Sequence, residues 1–244
     1  MTLYVVGLGP GAGAGMTAQA RAVLEACQVI VGYTAYINLV RADYPNKELL
    51  STPMRSEVER CHMAIERAAS GEDVAMVCSG DPGVYGMASL CLELAEDHPA
   101  LDIEVIPGVT AATSGAALLG APLTHDFAVI SLSDLLTPWE TIERRLLCAA
   151  KADFVICLYN PASRKRTDHL RRACDVLLRE LPATRCCGVV RNIGREGEQA
   201  LVLTLGELRE YQADMFTTVF IGNQQTRVIC ERLVTPRGYL QRED

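Results

Sequence analysis

The chain has 244 residues, of which 49% are hydrophobic and 22% are charged, and its formal net charge is -7. This length and apolar content exclude a disordered protein and allow one large domain or two small ones, each with its own core. The acidic balance argues against a nucleic-acid or anionic-membrane binder, because both need a basic surface.

The first half of the chain alternates strand patterns with amphipathic helix patterns. Thr17 is expected to cap the first helix, and Ser56 with Glu59 forms a capping box for another. Further helices are predicted near 87–96 and 110–119. The predicted strands lie at residues 3–8, 29–31, 74–78 and 103–106.

The same alternation returns after Gly120. The predicted strands lie at residues 127–132, 154–159, 188–190, 201–203 and 217–221. A capping box at 137–140, with Pro138 as the first helical residue, predicts one helix, and another is expected near 167–181. Thr204 and Glu207 are expected to cap a short third helix.

Strands separated by helices predict βαβ units, so we expect an α/β fold with mostly parallel sheets. The number of strands suits two sheets better than one. The breakers at 120–122 place the seam there, which gives domains 1–121 and 122–244. Ligands are expected in the cleft between the two domains.

The cysteines and the N-terminus predict a cytoplasmic protein. The ten cysteines include no C-x-x-C pair, which argues against a metal site and favours buried thiols in a reducing compartment. We see no signal-peptide pattern, and no apolar window approaches the length of a membrane span.

Three glycine-rich or helix-opening loops follow predicted strands at matching ends. The first, Gly7–Gly11, differs from a dinucleotide loop, because Pro10 interrupts it and Gly32-Tyr33 stands where an acidic residue would end the second strand. The second, Ser79–Gly86, offers the carboxylate of Asp81 beside three glycines. The third, residues 107–112, opens a helix. Each loop alone is explained by a turn or a cap, but together they predict a ligand site.

The segments Gly7–Gly11, Ser79–Gly86 and Val105–Ala111 resemble the three signatures of the tetrapyrrole methylases, which use S-adenosyl-methionine. The resemblance covers nearly the whole chain. Segments of the second half narrow it toward members that methylate a cobalamin precursor and contract its ring. These segments are His125–Phe127, Ile130–Asp134, Thr137–Glu140, Tyr159–Pro161 and Thr235–Tyr239.

The resemblance implies two α/β domains in a homodimer and a tetrapyrrole substrate. It places Pro10 beside the tetrapyrrole-facing side of the site. The other residues that it assigns to S-adenosyl-methionine are Ser79, Gly80, Asp81, Val84, Thr110, Ala111, Asn160, Ile193, Thr217 and Thr218.

Ring contraction, which the resemblance implies, needs a base because a proton must leave a hydroxyl as the carbon skeleton rearranges. His125, Asp126 and Asp134 are the candidates, since they flank one predicted strand. It is equally open that His125 and Asp126 only fix their loop and that Asp134 is a cap. His62, His98 and His169 are expected at the surface.

An acidic protein that binds a tetrapyrrole with acetate and propionate groups needs a local basic cluster. Arg164 and Arg166 follow the loop after a strand, and Arg55 lies in another predicted loop. Arginine suits carboxylates because its fork binds both oxygens. We therefore expect these three arginines together to bind the substrate, although for any one of them alone a solvated helix start is the favoured interpretation.

Several other functions stay open at this stage. Another corrin-ring methylase, such as a precorrin-4 methyltransferase, or a diphthine synthase would share the loops. A nicotinamide-dependent oxidoreductase would use the first loop, and a tetrapyrrole-binding module would lack catalysis. The residues do not decide whether the substrate carries cobalt.

Overall fold

The computed structural model describes residues 2–11, 13–163 and 165–239, and it divides the chain into two compact units, Met1–Thr110 and Ala111–Asp244. The division falls before the small-residue helix that starts at Ala111, whereas the sequence placed the seam after it. That helix packs against strands of the second unit, which explains the difference. Within the described ranges, no helix combines the length and the apolar character that crossing a bilayer requires.

The first unit contains one five-stranded sheet in which every pairing is parallel. Its strands are β1 (Thr2–Gly7), β2 (Val29–Tyr33), β3 (Glu48–Thr52), β4 (Val74–Cys78) and β5 (Asp102–Ile106). Their order across the sheet is β3-β2-β4-β1-β5. The helices are α1 (Ala18–Ala26), α2 (Thr34–Val40), α3 (Glu57–Ala69) and α4 (Ala88–Leu94), with short 3-10 turns at Gly13–Gly15 and Ala95–Asp97.

Both faces of this sheet are covered by helices, so its central strands are apolar throughout. Leu3 and Val5 of β1 pack in a core with residues of α3 and α4. Val6 of the same strand packs on the opposite face with residues of α1 and α2. All five residues of β4 are buried, as expected for a central parallel strand.

The second unit contains a five-stranded sheet of mixed direction. Its strands are β7 (Phe127–Ser131), β8 (Val155–Tyr159), β9 (Cys186–Arg191), β10 (Gln199–Thr204) and β11 (Thr217–Ile221), in the order β10-β9-β11-β8-β7. Only β7 and β8 pair in parallel, and the other three pairings are antiparallel. The prediction of a mostly parallel sheet is therefore wrong for this unit. A short loop joins β9 to β10 where a parallel pair would need a helical crossover.

The remaining elements of the second unit pack around this sheet. The helices are α5 (Ala111–Leu119), α6 (Trp139–Lys151), α7 (His169–Leu177) and α8 (Leu205–Glu210), and a small second sheet contains β6 (Gly120–Ala121), β12 (Arg227–Ile229) and β13 (Arg232–Val234). Helices α6, α7 and α8 cover one face of the large sheet. Helix α5 covers the other, where Phe220 is fully buried.

The helix caps test the sequence patterns individually. Thr17 caps α1, and Thr204 with Glu207 forms a full capping box at α8, so both predictions are confirmed. Ser56 is the N-cap of α3, but its side chain makes no capping hydrogen bond. Pro138 is the N-cap of α6 rather than its first helical residue. The sequence patterns missed the short elements α2 and β3 and all three strands of the small second sheet, β6, β12 and β13.

Candidate functional site

Three loops meet at the carboxyl edge of the first sheet. They follow β4, β1 and β5, which are neighbours in the sheet and run in parallel. In open α/β sheets, ligands bind at this edge. The arrangement therefore brings the three loops that the sequence singled out to one place.

The loops touch through backbone atoms, because three glycines leave no side chain between them. A Cβ atom on Gly7 would lie 2.6 Å from both the amide nitrogen of Gly108 and the carbonyl oxygen of Gly80. A Cβ on Gly108 would lie 2.1 Å from that same oxygen. Only glycine fits at positions 7 and 108, so this backbone junction explains the glycines of the first and third loops.

A second backbone contact joins the first two loops. Gly9 and Gly80 exchange hydrogen bonds, with N···O distances of 3.1 and 2.7 Å. Gly9 has a φ of 75°, which few other residues adopt, and a Cβ there would lie 2.3 Å from the carbonyl oxygen of Gly15. The half-buried Pro10 follows directly and is held at the junction.

Asp81 links the second loop to the third. Its Oδ1 accepts a hydrogen bond from the amide of Gly83 at 2.8 Å, and its Oδ2 accepts one from the amide of Gly108 at 3.0 Å. Each carboxylate oxygen has a further lone pair. Asp81 is half-buried, so its carboxylate both fixes the loops and can accept a hydrogen bond from a ligand.

Gly80 has an open side at the start of the third loop. A Cβ on Gly80 would meet only the Cα of Thr110, at 3.8 Å. Of the other predicted cofactor residues of this unit, Ser79, Val84 and Thr110 are half-buried. A ligand can therefore approach the backbone of Gly80 closely from this side.

In the second unit, four predicted cofactor residues lie on or beside the face of the large sheet that α5 covers. They are Ala111, Asn160, Ile193 and Thr218. Ala111 begins α5, and the amide of the next residue donates to the hydroxyl of Tyr159 at 2.7 Å. Ile193 is 8% exposed and packs in the core beneath α5. Asn160 follows β8 and donates from Nδ2 to Oγ of Ser131 at 2.9 Å.

The two predicted threonines of β11 point to opposite faces of the sheet. Val219 and Ile221 pack under α6 to α8, while Phe220 packs under α5. Side chains alternate along a strand, so Thr218 shares the face of Phe220 and Thr217 does not. Oγ1 of Thr217 instead donates to Asp214 at 2.8 Å. Of the two, only Thr218 shares the face of the sheet on which Ile193 packs.

A polar cluster lies at the carboxyl end of β7. Arg166 donates from Nη1 to Oγ of Ser133 at 2.7 Å, and the same nitrogen lies 3.5 Å from Oδ1 of Asp134. Nε2 of His169 lies 3.0 Å from Oδ2 of Asp134, although its N–H does not point at that oxygen. Contact with His169, helped by the charge of Arg166, lowers the pKa of Asp134 below its ordinary value.

His169 was predicted at the surface, and this prediction is wrong, because its side chain is only 5% exposed. Its Nδ1 lies 3.3 Å from Asp168, and its ring packs edge-on against Trp139 with centroids 5.3 Å apart. The guanidinium carbon of Arg172 lies over the ring of Trp139, 3.9 Å from the ring centroid. One signal was available, since His169 precedes the buried Ala173 by one helical turn.

The three predicted catalytic residues do not form one site. His125 and Asp126 precede β7, and Asp134 follows it. A five-residue strand separates them by roughly 17 Å at about 3.3 Å per residue. Nε2 of His125 is buried without a hydrogen-bond partner among the described residues, and the carbonyl of Asp126 accepts from Val155 at 3.1 Å. Of the three, only Asp134 follows the carboxyl end of β7.

The three predicted substrate arginines also separate. Arg166 is held by the cluster around Asp134, which makes it an anchor of that loop. Arg55 is exposed, with a φ of 72°, between β3 and α3. Arg164 lies outside the described residues.

Comparison with known proteins gives consistent matches along the chain. The family model of the tetrapyrrole (corrin/porphyrin) methylases matches residues 2–209. A probable cobalt-factor III C(17)-methyltransferase of Salmonella typhimurium is 49% identical, over 97% of this chain and 99% of the relative. A precorrin-3B C(17)-methyltransferase of Sinorhizobium sp is 43% identical, over 98% and 97% of the two chains. The solved structure of the methyltransferase CobJ superposes with a TM-score of 0.90 at 38% identity, covering 96% of this chain and 99% of that one.

Proposed function

This chain belongs to the tetrapyrrole methylase family, and from that premise we propose that it methylates ring carbon 17 of precorrin-3B or of its cobalt counterpart and contracts the macrocycle to the precorrin-4 level. The observation that carries this proposal is the agreement of two relatives, each similar over nearly its whole length, whose names give the same carbon. The other corrin-ring methylases and a nicotinamide-dependent oxidoreductase lack such support.

S-adenosyl-methionine is proposed as the methyl donor. Its sulfonium supplies an activated methyl group, so the protein needs to add little acid–base chemistry to the transfer. The open face of Gly80 fits the close approach of such a ligand, and Asp81, Ser79 and Thr110 offer the acceptors for its hydroxyl and ammonium groups. Pro10 in the first loop and Val84 in the second add apolar side chains to these loops.

The chain's contribution to methyl transfer is then alignment and the exclusion of water. The glycine junction fixes three loops against one another without mobile side chains, which keeps a bound ligand in one orientation. In the second unit, the half-buried Ala111 and the exposed amide of Asn160 are accessible to a ligand, whereas Ile193 and Thr218 are buried and support this region from the core. Thr217 contributes through its backbone, since its hydroxyl is committed to Asp214.

Ring contraction requires an acceptor for the proton of a hydroxyl. We assign that role to Asp134, because its carboxylate lies at the carboxyl end of β7 and stays ionised beside His169 and Arg166. His125 and Asp126 are assigned to shaping the loop before β7.

The deciding experiment incubates the protein with S-adenosyl-methionine carrying a ¹³C methyl group and with either precorrin-3B or cobalt-factor III. Mass spectrometry should show one added methyl group, NMR should place it on carbon 17, and the absorption spectrum should change as the macrocycle contracts. Methylation at another carbon would assign the chain to another branch of the family. The tetrapyrrole that is converted faster, precorrin-3B or cobalt-factor III, shows whether the natural substrate carries cobalt.

We also propose a cytoplasmic homodimer. All ten cysteines carry free thiols, which suits a reducing compartment. Light scattering at micromolar concentration should give twice the mass of the 26.5 kDa chain, and a monomer mass would contradict the dimer.

A further inference from the structure

Arg60 is one of the most buried charged residues of the first unit. It lies in the first turn of α3 and exposes only 4% of its surface. Burying a guanidinium is costly unless an opposite charge or a full set of hydrogen bonds compensates it. The charge of Arg60 therefore needs polar or acidic partners in the interior of the unit.

All partners of Arg60 are neutral. Its Nε donates to Oγ1 of Thr52 at 2.9 Å, and its Nη2 donates to the carbonyl of Pro53 at 3.1 Å. The guanidinium carbon lies 5.9 Å from the ring centroid of Tyr33. Within the described part of the chain, no acidic side chain forms an ion pair with it. Of the five N–H donors of a guanidinium, only two are thus used.

Another arginine of the same helix shows the contrast. Arg67 is far more exposed, yet it pairs with two carboxylates, those of Glu48 and Glu72. Arg166 in the second unit is likewise paired, with Asp134. Arg60 is the more buried residue, and among the residues that the structure describes no carboxylate compensates its charge.

The unpaired guanidinium lies at the ligand-binding edge of the first sheet. Tyr33 and Thr52 are the last residues of β2 and β3, and β2 is the direct neighbour of β4. Burial raises the pKa of the Cys78 thiol, at the end of β4, to about 11, and the charge of Arg60 opposes that rise. Arg60 therefore acts electrostatically on the strand end from which the Ser79–Gly86 loop begins.

We propose that Arg60 binds a carboxylate of a bound reactant through the N–H groups that Thr52 and Pro53 leave unused. This inference rests on the proposed function, since both proposed reactants carry carboxylates. One source is the amino-acid carboxylate of S-adenosyl-methionine, and the other is an acetate or propionate group of the tetrapyrrole. The planar fork of arginine suits either, because it binds both oxygens of a carboxylate.

The test compares Arg60→Met with the wild type in two binding measurements. Calorimetry gives the Kd of S-adenosyl-homocysteine, and fluorescence quenching gives the Kd of uroporphyrin III, a stable tetrapyrrole with eight carboxylates. We expect one of the two Kd values to rise at least tenfold, and the probe that responds identifies the source of the carboxylate. Two unchanged Kd values would overturn the proposal.

The matched control is Arg41→Met, which removes an exposed arginine of the same unit and should leave both Kd values unchanged. If Arg60→Met does not fold, Arg60→Lys takes its place, because it keeps the charge but loses the fork. An unchanged Arg60→Lys affinity for both probes would also overturn the proposal. If the wild type binds the probes but methylates neither precorrin-3B nor cobalt-factor III, the proposed function fails while the carboxylate site is still decided by binding.

Discussion

The two units build their candidate sites from different materials. In the first unit, glycines bring three loops into backbone contact, and one carboxylate ties two of them together. In the second unit, the end of β7 is fixed by side chains, with Arg166 and His169 on either side of Asp134. The first arrangement therefore cannot accept an added atom, whereas the second should tolerate changes in size and respond to changes in charge.

The largest expected effect comes from filling the glycine junction with Gly108→Ala. The added Cβ would lie 2.1 Å from the carbonyl oxygen of Gly80 and 2.8 Å from backbone atoms of Gly7, and neither can move without breaking the sheet edge. The free energy of unfolding should fall by about 3 kcal/mol or more, at the upper end of overpacking costs. Denaturant unfolding measures it.

Gly206→Ala is the matched control, because the nearest atoms to its Cβ lie at 3.5 Å in the second unit. That variant should be as stable as the wild type or slightly more so, since alanine favours a helix. Equal stabilities of the two variants would show that the junction yields, and the contrast between the units would be lost.

The next effect concerns the carboxylate in the first unit. Asp81→Ala should weaken binding of S-adenosyl-homocysteine by roughly 1–3 kcal/mol, the usual cost of losing a charged hydrogen-bond partner. It also releases the amide of Gly108, so part of the loss reflects looser loops. Calorimetry measures it, with the exposed Asp97→Ala as control. A folded Asp81→Ala protein with wild-type affinity would remove Asp81 from the site.

The two sites differ in how much of them can be predicted from the sequence. Ser79–Gly86 is a consecutive segment after an apolar strand, so its loop, its position and its place at the sheet edge could all be predicted. The cluster around Asp134 joins residues from a strand end, a loop and a helix. Its geometry depends on the pairing of β7 with β8 and on where α7 packs, and neither is encoded in local spacing.

The direction of the strands shows the same limit. Alternating strands and helices predicted the parallel sheet of the first unit correctly. In the second unit, the loop between β9 and β10 turns the chain back on itself, and the pattern of apolar runs is the same for either direction. The site of Arg60 was hidden for another reason. Its position one turn before the buried Ala64 indicates burial, but helical spacing does not show which groups its guanidinium contacts.

A third prediction tests the charge dependence of the second unit. His169→Phe keeps the packing against Trp139 but removes the contact with Asp134, and it should cost about 1 kcal/mol, because Asp134 is one-third exposed and solvent screens the pair. The folded pKa of Asp134 is lowered. The stabilisation that ionised Asp134 gives is thus fully present above its pKa in the unfolded chain, about 3.9, and it is lost as pH falls through its folded pKa.

Unfolding free energies of wild type and His169→Phe should therefore differ at pH 6, and the difference should shrink as pH falls from about 4 through the lowered folded pKa of Asp134. His169→Gln keeps a polar group near Asp134 but carries no charge, and it should lie between them. His62→Gln, at an exposed position of α3, serves as control and should follow the wild type throughout. A difference that stays constant down to pH 3 would mean that His169 stabilises the unit by packing alone.

The smallest effects come from two matched helix caps, one in each unit. Oγ1 of Thr17 accepts from the amide of Ala20 at 3.1 Å, and Oγ1 of Thr204 accepts from the amide of Glu207 at 3.3 Å. Thr17→Ala and Thr204→Ala should each lower the unfolding free energy by about 1 kcal/mol. Thr17 differs in one respect, since its hydroxyl also donates to the carbonyl of Pro107 at 3.2 Å. Because Pro107 directly precedes Gly108 of the junction, only Thr17→Ala should also weaken the binding of S-adenosyl-homocysteine, and Thr17→Ser should restore it. Equal affinities of the two alanine variants, measured by calorimetry, would mean that the backbone junction holds the third loop without help from the helix cap.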